Sequence, residues 1–246
     1  MDKLKEEVIK ALKAQKEIFG DILFDEEKNI VSTRRTKVVP EIIEESKVRP
    51  DRNTEPEIFN AAKSLEELNS LICNCLKCPL GMTRKHFVFG SGNPNADVLI
   101  LGEGPGAEED EQGLPFVGRS GKLLTDILKA INFQRDDVYI ANIVKCRPPN
   151  NRLPLPSEME TCMPYLKKQI ELIKPKLILC VGLTAAHALL KNKESLTNMR
   201  GQVFEFEGKK LMVTYHPAAL LRNPNWKRGC WEDVQAFRKL FDELVK

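Results

Sequence analysis

Carboxylates alternate with glycines in one segment of the chain, which follows a short apolar run. It reads Gly102-Glu-Gly-Pro-Gly-Ala-Glu-Glu-Asp-Glu, so that Glu103 and Glu109 lie among residues that allow tight turns and close backbone approach to a ligand. The segment lacks the Gly-Lys-Ser/Thr ending of a phosphate-binding loop, and its acidic run would repel a pyrophosphate. Such a loop suits a site that stabilises positive charge or orients water, although a solvated acidic loop has the same composition.

Cysteine spacing indicates a second site. Cys75 and Cys78 form a C-x2-C pair, and Cys146 and Cys162 form a second pair separated by 15 residues. Four thiolates in two pairs can enclose a tetrahedral zinc ion or a [4Fe–4S] cluster. Cys73 is surplus to this set of four.

The composition indicates a soluble protein of a reducing compartment. The chain has 246 residues and a net charge of +3, and it has seven cysteines, an odd number that disfavours a disulfide framework. No apolar run approaches the roughly 18–20 residues of a membrane span, and the charged N-terminal segment does not resemble a signal peptide. We therefore expect a cytoplasmic protein with no membrane partner, in which Cys180 and Cys230 are packed thiols.

A histidine follows the last apolar run, in Tyr215-His-Pro-Ala-Ala-Leu-Leu-Arg-Asn-Pro. An isolated histidine is commonly structural, but His216 lies in a proline-containing loop at the end of a predicted strand. Residues 191–228 carry eight basic and three acidic side chains, a net charge of +5. This local excess suits contact with a phosphate backbone, although a solvated surface explains it equally well.

Alternating strands and helices must position these loops. Helical stretches separate or follow short apolar runs at residues 98–102, 138–144, 177–182 and 211–215. This alternation predicts an α/β fold: a three-layer αβα arrangement around a central, four-stranded, mostly parallel sheet. Ligands bind beyond the carboxyl ends of such strands, so the acidic loop, residues 142–152 and His216 are predicted to meet there.

An extension is predicted to precede this domain. Residues 1–18 have amphipathic helical spacing, whereas residues 31–56 contain three prolines and many charges, which is typical of a tether. Residues 1–62 are therefore assigned to a helical and flexible N-terminal extension, and residues 63–246 to the folded domain. Residues 1–60 carry a net charge of −2, so the extension is a poor candidate for gripping nucleic acid.

Taken together, these motifs resemble the uracil-DNA glycosylase superfamily, specifically its iron–sulfur family 4. The resemblance covers about Ser70 to Lys246 and includes four features in the expected order. They are GEGPGAEEDEQGLPFVGRSGKLL, IANIVKCRPPNNRLP, the spacing of the four cysteines, and HPAALLR.

The resemblance implies a catalytic set of three residues. Glu103 stands where the family places its main catalytic carboxylate, which orients water or stabilises an oxocarbenium-like sugar, and Glu109 assists it. His216 donates a hydrogen bond toward uracil O2, where negative charge develops. The implied activity is monofunctional hydrolysis of the N-glycosidic bond of uracil in DNA after base flipping, which leaves an abasic site for base excision repair.

It also implies a set of substrate-binding residues. Phe116 stacks on the extruded base, and the Asn142 amide matches O4 and N3–H of uracil, whereas cytosine presents the opposite pattern. Leu220 inserts into the space that the base vacates, and Arg222 holds a nearby phosphate. Gly104 departs from the alanine of the family's GEAPG motif, which loosens the backbone and keeps the carboxylate.

The cofactor implied by the resemblance is a structural [4Fe–4S] cluster, held by Cys75, Cys78, Cys146 and Cys162. The implied partner is uracil-containing DNA, single- or double-stranded, and a monomer is the default expectation. Residues 1–62 lie outside the resemblance and are interpreted as a mobile or loosely docked tail, with an arm that binds another repair or replication protein as the alternative. Three alternatives are an electron-transfer iron–sulfur protein, a zinc-stabilised nucleic-acid-binding module, and a non-catalytic iron–sulfur protein that binds uracil-DNA. The electron-transfer protein leaves the acidic loop, Asn142 and His216 without a role, and the zinc module leaves the acidic loop without one. The non-catalytic binder stays open for the case in which Glu103 is not productively placed.

Overall fold

The computed structural model describes residues 58–245, so the predicted helix at residues 1–18 and the tether at residues 31–56 lie outside the described residues. Nine α-helices occur within residues 58–245. They are α1 Leu65–Ile72, α2 Leu80–Thr83, α3 Ala107–Gln112, α4 Arg119–Ala130, α5 Pro156–Ile173, α6 Leu183–Leu190, α7 Leu196–Met199, α8 Pro217–Arg222 and α9 Lys227–Leu244. None of them is long and apolar enough to cross a membrane.

A single sheet lies at the centre of the described chain. Its strands are β1 Ser91–Gly92, β2 Val98–Gly102, β3 Tyr139–Asn142, β4 Leu177–Val181, β5 Phe204–Phe206 and β6 Lys209–Thr214. The order across the sheet is β1-β3-β2-β4-β6-β5. The four predicted strands form its parallel centre, and two short antiparallel strands, β1 and β5, extend the predicted four-stranded sheet to six strands.

Side chains alternate between the two faces of the central strands, and each face carries its own apolar core. Leu99, Leu101 and Cys180 pack with the α1, α5 and α6 layer. Val98 and Ile100 pack on the opposite face with α4 and α9. The α/β fold and its three layers are thus confirmed, because burial of both faces requires helices on both sides.

The start of the described chain belongs to the first of these cores. Phe59 packs edge-on against Tyr165, with 4.8 Å between ring centroids, and both Phe59 and Ala62 are buried. The last residues that the sequence pattern assigned to the extension therefore pack on the domain. Helix α1 then begins after Ser64, whose Oγ accepts the Glu67 N–H at 3.1 Å and caps the helix.

Candidate active site

A cavity of about 440 Å³ opens at the carboxyl ends of the parallel strands. Four segments that follow β2, β3, β4 and β6 contribute to its wall, as expected for a sheet of this kind. The structure brings seven of the predicted site residues to this wall: Glu103, Gly104, Glu109, Phe116, Asn142, His216 and Arg222.

Asn142 is the last residue of β3, and it carries an unpaired polar atom. The residue is 2% exposed, and its Oδ1 has no hydrogen-bond partner within the described chain. Its main-chain carbonyl accepts a hydrogen bond from the buried Lys145 Nζ at 2.9 Å, which fixes the backbone. Buried polar atoms are nearly always satisfied, so an unpaired amide oxygen at a cavity wall indicates a ligand that completes it.

Phe116 lies beside Asn142 because Gly102 leaves room for both. A Cβ at Gly102 would lie 2.4 Å from Asn142 Oδ1 and 2.6 Å from Phe116 Cζ. Phe116 has a φ of 52°, a strained conformation for a non-glycine residue, and Arg135 Nη1 donates to its carbonyl at 3.1 Å. The ring lies 5.7 Å from the His216 ring at an interplanar angle of 32°. Two rings and an amide therefore surround one space.

The two predicted carboxylates have different environments. Glu109 is buried, and its carboxylate accepts the N–H groups of Gly106 at 3.1 Å, Val117 at 2.9 Å and Gly118 at 3.0 Å. Because these bonds tie the loop after β2 to the loop after α3, Glu109 holds the positions of Glu103 and Phe116. The assisting catalytic role expected for Glu109, which also lines the cavity, stays a prediction.

Glu103 combines a fixed backbone with an available side chain. Its carbonyl oxygen accepts the Val144 N–H at 3.1 Å, which anchors the loop to the segment after β3. No described residue forms a hydrogen bond or an ion pair with the Glu103 carboxylate, and the residue lines the cavity. A carboxylate placed in this way can accept a hydrogen bond from water or face a developing positive charge.

His216 caps α8 and is held as a neutral imidazole. Its Nδ1 accepts the Ala218 N–H at 3.1 Å, which assigns the proton to Nε2. Burial, together with the positive charge of Arg222, lowers the pKa of His216 to about 4. At neutral pH the ring is therefore an uncharged donor at the cavity wall.

The four cysteines of the two pairs lie together outside this cavity. Cys75 and Cys78 lie between α1 and α2, Cys146 follows β3, and Cys162 is in α5. The thiol of Cys146 interacts electrostatically with those of Cys75 and Cys78, and that of Cys162 with Cys146 and Cys78. Burial raises the pKa of Cys146 to about 11 and that of Cys162 to about 12. A positively charged group that binds them would stabilise their thiolates.

Donors point at these sulfur atoms. Arg84 Nη1 lies 3.3 Å from Cys146 Sγ, and Tyr165 Oη donates to Cys75 Sγ at 3.2 Å. In residues 58–245 no three His, Cys, Asp or Glu side chains gather closely enough to hold a single metal ion. Donors to sulfur tune iron–sulfur clusters, and four thiols with such donors fit a group of this kind. Cys73 points elsewhere, since its Sγ donates to the Ser70 carbonyl at 3.7 Å.

The described domain matches a known family over most of its length. The model of the Uracil DNA glycosylase superfamily matches residues 89–241. The chain belongs to the uracil-DNA glycosylase superfamily. This superfamily match spans all the cavity residues above.

Several curated relatives match the chain at similar identity. The Type-4 uracil-DNA glycosylase of Pyrobaculum aerophilum is 45% identical over 183 residues, which cover 70% of this chain and 92% of that protein. Its counterpart in Thermotoga maritima is 44% identical over 182 residues, 72% of this chain and 95% of that protein. The counterpart in Sulfurisphaera tokodaii is 43% identical over 186 residues, 72% of this chain and 84% of that protein.

One predicted superfamily contact requires correction. Leu220 is 0% exposed and belongs to the core between α8 and the sheet, so it cannot insert into DNA without leaving that core. The next residue, Leu221, is 41% exposed, and Arg222 follows it at the cavity wall. Helix α8 therefore exposes Leu221 and buries Leu220.

Sequence reasoning missed part of the cavity wall. The end of β4 and the residues after it contribute Val181, Gly182, Leu183 and Thr184, and Ser120 and Leu153 also line the wall. Gly182 has a φ of 99°, and a Cβ there would lie 3.1 Å from His216 Cβ. The rule that ligands bind at strand ends points to this turn as well, because β4 is a parallel strand like its neighbours.

The depressed pKa of His216 predicts a pH dependence of stability. The unfolded chain protonates this histidine near pH 6.5, whereas the folded chain does so only near pH 4. The contribution of the neutral, buried His216 to the free energy of unfolding is thus fully present above pH 6.5 and is lost as the pH falls toward 4. We expect the decrease in Tm between pH 7 and 4.5 to be smaller by about 2–8 °C in His216→Gln than in the wild type.

Differential scanning calorimetry at several pH values would measure this slope. The exposed His86 provides the control, because a His86→Gln variant should keep the wild-type slope. An unchanged slope in His216→Gln would contradict the assignment of His216 as a buried neutral base.

Proposed function

We propose that this protein removes uracil from DNA by hydrolysing its N-glycosidic bond, as the names of its Type-4 relatives state for those proteins. The observation that carries this proposal is the buried, unpaired Oδ1 of Asn142 at a cavity wall shared with Phe116 and His216. An amide has one acceptor and one donor group, which pair with N3–H and O4 of uracil. The flipped base fills the cavity and satisfies the orphaned oxygen.

Phe116 and His216 act on the ring of that base. The Phe116 side chain supplies an aromatic face for stacking, and its position is fixed by Arg135 and by the loop that Glu109 holds. His216 presents its Nε2–H to uracil O2, because its Nδ1 is occupied by the Ala218 N–H. A neutral donor in this position stabilises the charge that develops on uracil as the bond breaks.

Glu103 acts on the sugar side. As the N-glycosidic bond breaks, its electron pair moves onto uracil, and C1′ acquires oxocarbenium character. The Glu103 carboxylate stabilises this cation and accepts a proton from the water whose oxygen bonds to C1′. Protonation of the uracil anion completes the release of free uracil and leaves an abasic site.

Cys75, Cys78, Cys146 and Cys162 would hold a [4Fe–4S] cluster in this protein. When bound, the cluster joins the segment before the first long strand to the segment after β3 and supplies structural rigidity. Cys146 lies four residues after Asn142, so this junction supports the backbone from which the Asn142 amide projects. Glycosidic hydrolysis needs no electron transfer, and the cysteine set is separate from the cavity wall.

A labelled oligonucleotide with a single deoxyuridine tests the activity. The purified protein should release free uracil and leave an alkali-labile abasic site, and a matched thymine oligonucleotide should stay intact. Binding without base release would contradict the proposal and would favour a non-catalytic protein that binds uracil-DNA. Iron and acid-labile sulfide in the same preparation test the cofactor, since a colourless protein that contains zinc would contradict the cluster.

Leu221 is proposed to occupy the space that the flipped base leaves in a duplex. Because burial of a leucine side chain contributes about 1.5–3 kcal/mol, Leu221→Ala should lower uracil excision from a duplex by about 10- to 100-fold. The effect on single strands should be much smaller, since no stacked gap needs to be filled. Excision rates on matched duplex and single-stranded substrates measure this difference.

Leu220→Ala serves as the contrasting variant. Its loss of a fully buried side chain should cost about 2–5 kcal/mol of stability, whereas Leu221→Ala should leave Tm nearly unchanged. If Leu221→Ala excised uracil at the wild-type rate from both the duplex and the single strand, that result would show that Leu221 does not insert.

A further inference from the structure

Trp226 forms an exposed aromatic surface beside the cavity. It ends the short 3₁₀ turn Pro224–Trp226 between α8 and α9, and 42% of it is exposed. Its ring stacks on Tyr215, with 5.1 Å between the ring centroids and an interplanar angle of 20°. A large indole held in one orientation loses little conformational entropy when a second flat group stacks against it.

The support beneath this surface is rigid. The Arg200 guanidinium lies 4.5 Å from the Tyr215 ring centroid and donates to the Tyr215 hydroxyl at 3.1 Å. Arg200 is itself held by the Asp233 carboxylate at 2.7 and 3.1 Å, and Thr214 Oγ1 donates to the same carboxylate at 2.6 Å. These bonds connect the Trp226 surface to β6 and α9, so the stack does not depend on a mobile loop.

The position and charge of this surface match a nucleic-acid strand. Tyr215 directly precedes His216. The main-chain N–H of Trp226 donates to the carbonyl of Asn223 at 3.1 Å, and Asn223 directly follows Arg222, which lines the cavity. Basic side chains flank the indole on both sides in sequence, Arg222 before it and Lys227 after it. An exposed aromatic ring in a segment of net charge +5, residues 191–228, suits the stacking of the bases of a single strand.

We infer that Trp226 stacks on the nucleobase next to the flipped uracil, on the uracil-bearing strand. The inference rests on the proposed function, because the base-flipping cavity sets where the strand runs. When uracil leaves the stack, its neighbour loses a stacking partner, and the indole replaces it. Stacking does not read base identity, so this contact strengthens binding in any sequence context and most strongly in single strands, where base faces are open.

Tryptophan fluorescence tests this contact directly. The sequence has two tryptophans, and Trp231 is 7% exposed, so a base that stacks on the protein surface quenches Trp226. The titration uses a single-stranded deoxyuridine oligonucleotide and a Glu103→Gln background to prevent turnover. We expect fluorescence quenching in the protein that has Trp226 and no quenching in the Trp226→Leu variant. The Kd of that variant should be raised about 5- to 150-fold.

An oligonucleotide with abasic sites on both sides of uracil provides the second arm. Without neighbouring bases, the protein with Trp226 and the Trp226→Leu variant should bind this oligonucleotide with equal Kd. On the oligonucleotide with both neighbouring bases, Trp226→Phe should keep most of the affinity that Trp226 provides. Quenching that persists in Trp226→Leu, or an equal loss of affinity on both oligonucleotides, would overturn the inference. Uracil release by the otherwise wild-type enzyme is measured in parallel, so a failure of the proposed activity is recognised separately.

Discussion

Replacing Glu103 with glutamine is expected to slow uracil release by about 10²–10⁴-fold. Glutamine keeps the size of the side chain and removes the negative charge that faces the sugar. Because no described residue pairs with the Glu103 carboxylate, the substitution breaks no ion pair, and Tm should stay close to that of the wild type. Single-turnover excision of uracil from an oligonucleotide measures the chemical step without product release.

Glu108 provides the matched control for this variant. It lies in the first turn of α3, in the same acidic segment, it is exposed, and it does not line the cavity. Glu108→Gln removes the same charge a few residues away, so it should keep a rate within a factor of about three of the wild type, since exposed charges interact weakly. Equal rate losses in the two variants would mean that the loop acts through its overall charge, and an unaffected Glu103→Gln would move the catalytic role elsewhere.

The central fold was predictable because its strands are buried on both faces. A strand such as Leu177–Val181 is an uninterrupted apolar run, and helices of amphipathic spacing separate such runs. The edge strands lacked this signal: Ser91–Gly92 has two small residues, and Phe204–Phe206 is only partly buried. Edge strands arise from pairing with a neighbour, which the local sequence does not report.

The residues of the site were predictable where they lie at the carboxyl ends of parallel strands. They were less predictable where a role depends on the direction in which a side chain points. Asn142 and His216 follow buried strands, so the sheet itself brings them together. Whether Leu220 or Leu221 faces the core depends on the phase of a six-residue helix, which is too short to show a period. The role of Glu109 depends on three backbone N–H groups that only the folded loops bring within reach.

Asn142→Leu is expected to separate activity from stability. The leucine has a similar volume but no donor or acceptor, so the flipped uracil would bury its N3–H and O4 without partners. An unpaired buried polar group costs about 1–3 kcal/mol, and kcat/KM for uracil should therefore fall by about 10- to 100-fold or more. The substitution should not lower the free energy of unfolding, because it removes an amide oxygen that is itself buried and unpaired. Tm should accordingly stay equal to that of the wild type or rise.

Two measurements on one preparation decide this prediction: the excision rate on a deoxyuridine oligonucleotide, and Tm. Lys145→Met is the comparison variant, because it removes the ammonium that donates to the Asn142 carbonyl and to Gln169 Oε1 and leaves both acceptors buried. That variant should lose stability as well as activity, since it takes away satisfied hydrogen bonds. A decrease in Tm of several degrees in Asn142→Leu would instead mean that the amide is part of the fold. Loss of activity without loss of stability would mean that the unpaired Asn142 Oδ1 serves a ligand and not the fold, and would identify Asn142 as the residue that recognises uracil.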